Sequence, residues 1–125
     1  MSEMLLFIAA GLIVVLAFFH SVAGQRRLIG PLLMGKSEIL SNPTWRAIIL
    51  FGWHSTTALL LLIALYLAMT AGGLAVGNDL QLIVTAVTFI GLGVANAVLA
   101  KFKHPGWILL SSIGIITLTA LIIRI

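Results

Sequence analysis

From Ala47 to Ala71 the chain has no Asp, Glu, Lys or Arg. At about 1.5 Å per helical residue, that run is long enough to cross a hydrocarbon core of about 30 Å. Within it stands the polar group Trp53-His54-Ser55-Thr56-Thr57. Water is absent at such depth, so a backbone of this length must satisfy its own hydrogen bonds as a helix. An ionisable side chain there is costly, which makes His54 the first candidate functional residue.

Three further apolar blocks of similar length accompany this one. Only 8% of the 125 residues are charged, where a soluble domain has about a quarter. The expected fold is therefore all-α, a single membrane-embedded domain (1–125) of four antiparallel helices. Their spans lie at about 4–24, 45–71, 80–100 and 105–123. Beyond Gly24 the first helix can continue through Arg26-Arg27 until Gly30-Pro31 stops it. The stretch from Gly24 to Asn42 is too charged to span, and its leucines mixed with Arg26, Arg27 and Lys36 suit an element lying along the interface. Asn42-Pro43 marks the turn into the second span, and Pro105 opens the fourth. Leu5 to Phe19 could pass for a signal peptide, but Glu3 stands where a basic n-region would be, and the segment is read as a retained helix.

Net charge is +4. In a soluble chain that would suggest nucleic acid. Here the basic residues flank apolar blocks, where they set topology, so the expected partner is the bilayer and not nucleic acid. Arg26, Arg27, Lys36, Arg46, Lys101 and Lys103 fall on one side against Glu38 alone, while Glu3, Asp79 and Arg124 fall on the other. The positive-inside rule then puts the basic loops in the cytoplasm and both termini outside. Trp45 and Trp107 fit an interfacial aromatic belt. Trp53 is too deep for that and should pack against polar groups.

Topology converts position into depth. His20 lies six residues before Arg26, roughly 9 Å inward, and His54 lies eight residues after Arg46, roughly 12 Å inward. Asn96 on the third span and Ser111 and Ser112 on the fourth reach a similar level. The expectation is one inward-facing polar site of His20 and His54, with Asn96, Ser111 and Ser112 beside it. His104, between Lys103 and Pro105, reads as a solvated loop residue.

The composition limits what such a site could do. No carboxylate lies within a span, which argues against an acid-driven proton antiporter. Cysteine is absent, so thiolate metal sites and Cys nucleophiles are excluded. No acid is placed to complete a Ser-His triad, and no catalytic residue is assigned. Two imidazoles could ligate a transition metal, although tetrahedral zinc needs more ligands, which a symmetric oligomer could supply. They would also suffice as a haem axial pair, with Arg26, Arg27 and Arg46 near the propionates and Gly11 and Gly52 admitting the ring. Two other readings stay open: a homo-oligomeric channel or transporter with proton-responsive histidines, and an accessory subunit of a larger membrane complex. The same polar residues can also simply bond across helices or to carbonyls of their own helix. Gly91/Ala95 and Gly93/Ala97 are small-xxx-small pairs that allow backbones to approach closely, within the bundle or between protomers.

His20-Ser21-x-x-Gly24-Gln25-Arg26 followed by Trp53-His54-x-Thr56 resembles a pattern in small uncharacterised bacterial four-helix inner-membrane proteins. The resemblance covers mainly the first half of the chain. It implies a multi-pass protein of the bacterial inner membrane and supplies no activity. Where that pattern has Glu, this chain has Gln25, which removes an acid that could pair with His20.

Overall fold

Local signals in the sequence set where the helices begin. The side chain of Asn42 accepts the N–H of Thr44 at 2.8 Å, and that of Asn78 accepts the N–H of Leu80 at 2.9 Å. Each satisfies a first-turn donor that has no carbonyl partner within its helix. Pro43 stands in the first helical turn, where its missing N–H costs nothing, and Asp79 puts a carboxylate at the positive end of its helix.

The computed structural model describes residues 1–35, 38–75 and 78–124. These form α1 (Ser2–Phe18), a π-helical segment (Phe19–Ile29), α2 (Gly30–Leu33), α3 (Glu38–Ser41), α4 (Pro43–Ala71), α5 (Asp79–Leu99) and α6 (Gly106–Arg124). Four continuous helices are long and apolar enough to cross a membrane: Ser2–Leu33, Pro43–Ala71, Asp79–Leu99 and Gly106–Arg124. Three of these match the expected spans within about two residues at each end. Lys36, counted above in the basic cluster, lies outside the described residues.

The first helix departs from expectation. It continues past Gly24 through Arg26 and Arg27, as allowed for above, but it does not stop at Gly30-Pro31 and runs as one helix of 32 residues to Leu33. The first half of the supposed interfacial stretch is therefore the end of this helix. Proline normally breaks a helix because its ring meets the carbonyl four residues back and its N–H is missing. Here the residue ahead of it, Gly30, bonds to the carbonyl of Gln25, five residues back. That wider turn shifts the carbonyls out of α-helical register just before Pro31. At roughly 1.5 Å per residue the helix is longer than one crossing of a bilayer core needs, and Arg26 and Arg27 are exposed near its end.

The main packing pairs are α1 with α4, α1 with α6, and α5 with α6. Residues from all four spans share one core, among them Ile13, Leu67, Phe89 and Ile113. The α5–α6 contact is the closest. A Cβ on Gly93 would collide with Ser111, and one on Gly114 would fall 2.7 Å from the carbonyl oxygen of Ala86. Of the two small-residue pairs, Gly93/Ala97 is therefore used inside the chain, whereas Gly91 and Ala95 are exposed.

The connection between these two helices is tightly wound. Phe102 N–H returns to the carbonyl of Ala97 at 2.8 Å and Lys101 N–H to that of Val98 at 3.1 Å, the paired bonds of a Schellman cap. Lys101 has φ 49° and Phe102 φ 59°, a region usually left to glycine. His104 is exposed, but it is more than a solvated loop residue. Its Nδ1 accepts the N–H of Gly106 at 3.1 Å and caps α6.

Candidate functional site

The π-helical segment carries the polar residues of the first span. Bonds from residue i to i+5 widen the turn, and such stretches are rare and concentrated at functional sites. His20, Gly24 and Gln25 come round on neighbouring positions of this wide helix. Opposite them stands Trp53 of α4. The His20 and Trp53 rings are stacked with centroids 3.9 Å apart and planes 15° from parallel. The indole also fills the space beside Gly24, where a Cβ would collide with it. His20 Nε2 lies 3.3 Å from the carbonyl oxygen of Trp53. A carbonyl can only accept, so this contact requires a proton on Nε2, and in the neutral tautomer that carries it Nδ1 is an acceptor.

Around this stack, Gln25 Oε1, Trp53 Nε1 and Thr57 Oγ1 are buried without a hydrogen-bond partner among the described residues. Trp53 and Thr57 are one turn apart and share a face of α4. The patch thus offers one indole donor, one amide acceptor, a hydroxyl and the free side of an imidazole. These groups can hold a small polar group, but they provide no nucleophile or acid.

His54 does not join this patch. It projects about 100° round the helix from Trp53, is exposed, and has no hydrogen bond among the described residues. The expectation that both imidazoles face the interior of one chain therefore holds for half-buried His20 and fails for His54. The cause is adjacency: Trp53 takes the inward position, and consecutive helical residues cannot both face the same way. Gly52, expected to admit a haem ring, points away from His54 by about 160° and has open space around it. His20 and His54 are therefore turned to different faces. No group of three His, Cys, Asp or Glu converges among the described residues.

The expected single polar layer is divided in two. The π-helical segment packs on α4 and on its own helix, while Asn96 and Ser111 belong to the α5–α6 contact. Asn96 Oδ1 is buried and unpartnered near Gly106, Ser111 lies against Gly93, and Ser112 is half-buried. Thr56 behaves as an ordinary membrane threonine, its hydroxyl donating to the carbonyl of Gly52 at 3.1 Å. Arg46 is exposed at the start of α4.

Sequence reasoning placed Trp53 against polar groups but missed its stacking on His20 and the part played by Gln25. One signal was available: Gly24 lies four residues after His20, on the same helical face, and leaves a slot beside the imidazole that an aromatic ring can fill.

No protein family, curated protein or solved structure matches the chain.

Proposed function

We propose that the chain is a non-catalytic subunit of a membrane assembly, in which the second span is the attachment helix. One observation carries this reading: the coverage of α4 is inverted. Only 6% of its most apolar window is buried, against 28% in each of the other three spans, yet it is the least hydropathic of the four. A helix left facing lipid should be the most apolar. Buried residues occur only in its second half, at Ala64, Leu67, Thr70 and Ala71, and the exposed first half contains His54. A polar group facing hydrocarbon without a partner costs about 1–3 kcal/mol, which a neighbouring subunit would relieve.

In this reading the protein sits in the bacterial inner membrane as four antiparallel helices, with the termini outside. Support comes from contacts along the helices and from charge. Phe7 approaches Gly72 at one end of the α1–α4 pair, and His20 and Gly24 meet Trp53 towards the other. Gly93 meets Ser111 and Asn96 approaches Gly106, as oppositely directed α5 and α6 require. Arg26, Arg27, Arg46, Lys101 and Lys103 then gather at the cytoplasmic end. The His20–Trp53 stack lies near that end and serves to lock α4 onto the first helix. No cofactor is needed for that role.

Mass measurement in native-lipid nanodiscs tests the proposal. The expected result is a multiple of the 13.3 kDa chain or a complex with another protein. A lone 13.3 kDa species in native lipid would contradict it.

A further inference from the structure

We infer that the attachment partner is a second copy of this chain, packed along one face of α4 about a two-fold axis parallel to the membrane normal, with His54 opposite its symmetry mate. This rests on the reading of α4 as an attachment helix and adds the identity of what it attaches to.

The face is defined by spacing and exposure. Ala47, Phe51, His54, Ala58, Leu61 and Leu65 follow one another at intervals of four and three, the a/d repeat of a helix-pairing seam. All six are exposed. The seam runs into an open cavity of about 400 Å³ between α1 and α4, with Leu61 and Leu65 on one wall and Gly11 and Val14 on the other. Side chains of a partner helix have room to insert there. Ala58, one turn from His54 on the seam, is small and lets two backbones come close there.

Two arguments select a second copy over a different protein. An axis along the membrane normal returns every residue at its own depth, so His54 meets a polar group without any requirement on a foreign sequence. A neutral imidazole has one donor and one acceptor nitrogen, so the N–H of one ring can bond the acceptor nitrogen of the other, one N–H···N bond across the pair. In a parallel pair, moreover, each seam position packs against the same position of its mate, so this seam is its own complement. As the only polar residue on the seam, His54 pins the register: a slip in depth would leave both rings against hydrocarbon.

The chain has no cysteine, so single-cysteine variants report directly. Phe51→Cys, Ala58→Cys and Leu61→Cys, oxidised in native membranes, are expected to give disulfide-linked dimers. Leu59→Cys and Ile63→Cys, on the opposite side of α4, should give about tenfold less, because a disulfide needs Cα atoms within about 7 Å. Adding His54→Leu to the Ala58→Cys variant should raise the dimer dissociation constant by about three- to twenty-fold. Unchanged dimerisation in that variant would overturn the paired-imidazole contact. Cross-links strongest at Leu59→Cys or Ile63→Cys would overturn the seam while leaving the attachment reading intact. Recovery of the chain only in a complex with another protein, with no self-cross-link at any position, would overturn the second copy but not the attachment. A monomer with no cross-link would overturn both.

Discussion

The two halves of the chain are each built on a pair of spans, and they are held together by different means. α5 and α6 meet through glycine: Gly93 accommodates Ser111, and Gly114 lies against Ala86 and Ile90. Apolar attraction between helices largely vanishes in lipid, so close backbone approach and dense van der Waals contact must hold such a pair. The first helix and α4 instead meet at one end through the stack of His20 on Trp53, and leave an open cavity of about 400 Å³ further along. The glycine-lined pair is closed on itself. The stacked pair is joined at the His20–Trp53 stack and again where Leu67 and Ala71 enter the core, and it leaves one side of α4 exposed, which is why attachment is placed there.

The largest expected effect breaks the closed pair. Gly114→Leu would drive a side chain into the Ala86 carbonyl and Ile90, and overpacking of this kind costs about 3 kcal/mol. Gly11→Leu, where a Cβ meets nothing within 4 Å, should cost far less. Unfolding in mixed micelles by denaturing detergent would compare the two, and equal losses would contradict the contrast between the halves.

Next in size is the open pair. Trp53→Ala removes the ring packed on both His20 and Gly24, at a cost of about 2 kcal/mol. A double-mutant cycle with His20→Ala should leave a coupling of about 1 kcal/mol. A coupling near zero would mean that the stack does not join the helices.

Much of this architecture is legible in the sequence, for definite reasons. Charge-free runs of membrane length have one solution, so the spans around Ala47–Ala71 and the two that follow could be placed closely, and Asn42-Pro43 marks a helix start by known capping chemistry. The π-helical segment was not legible. Nothing in Phe19–Ile29 distinguishes i→i+5 from i→i+4 bonding, because the register depends on how Pro31 and Trp53 are accommodated in three dimensions. In the candidate site, the orientation of the side chains was not legible. Depth is a linear function of position, so His20 and His54 could be placed at comparable levels, but orientation is an angular one. In an apolar helix almost every face is hydrophobic, so no periodicity showed that Trp53 would take the inward position and His54 the outward one. Asn96 and Ser111 were assigned a similar depth and belong to the other pair.

A smaller change sharpens the closed pair. Lys101 occupies the left-handed cap position that glycine usually fills, so Lys101→Gly should stabilise the α5–α6 hairpin by about 1 kcal/mol in the same detergent titration. Destabilisation would show that the Lys101 side chain contributes more than its backbone costs.

The smallest effect concerns a polar contact between the halves, beside the α1–α6 packing and the shared core that join them. Tyr66 donates to Gln81 at 2.9 Å beside an open groove of about 580 Å³ between α4 and α5. Tyr66→Phe should cost only about 0.6 kcal/mol, the usual size of a polar contact between membrane helices. A loss as large as that of Trp53→Ala would mean that the halves depend on this bridge.

Coverage of the outer side of α4 is tested most directly by spin labels in native-lipid bilayers. A label at Ala58→Cys reports the His54 side of α4, and one at Val87→Cys reports a residue exposed on α5. Collision with dissolved oxygen is expected to be low at position 58 and high at position 87, since only the first is covered in the assembly. Equal, lipid-like oxygen access at both positions would contradict the assignment of α4 as the attachment helix.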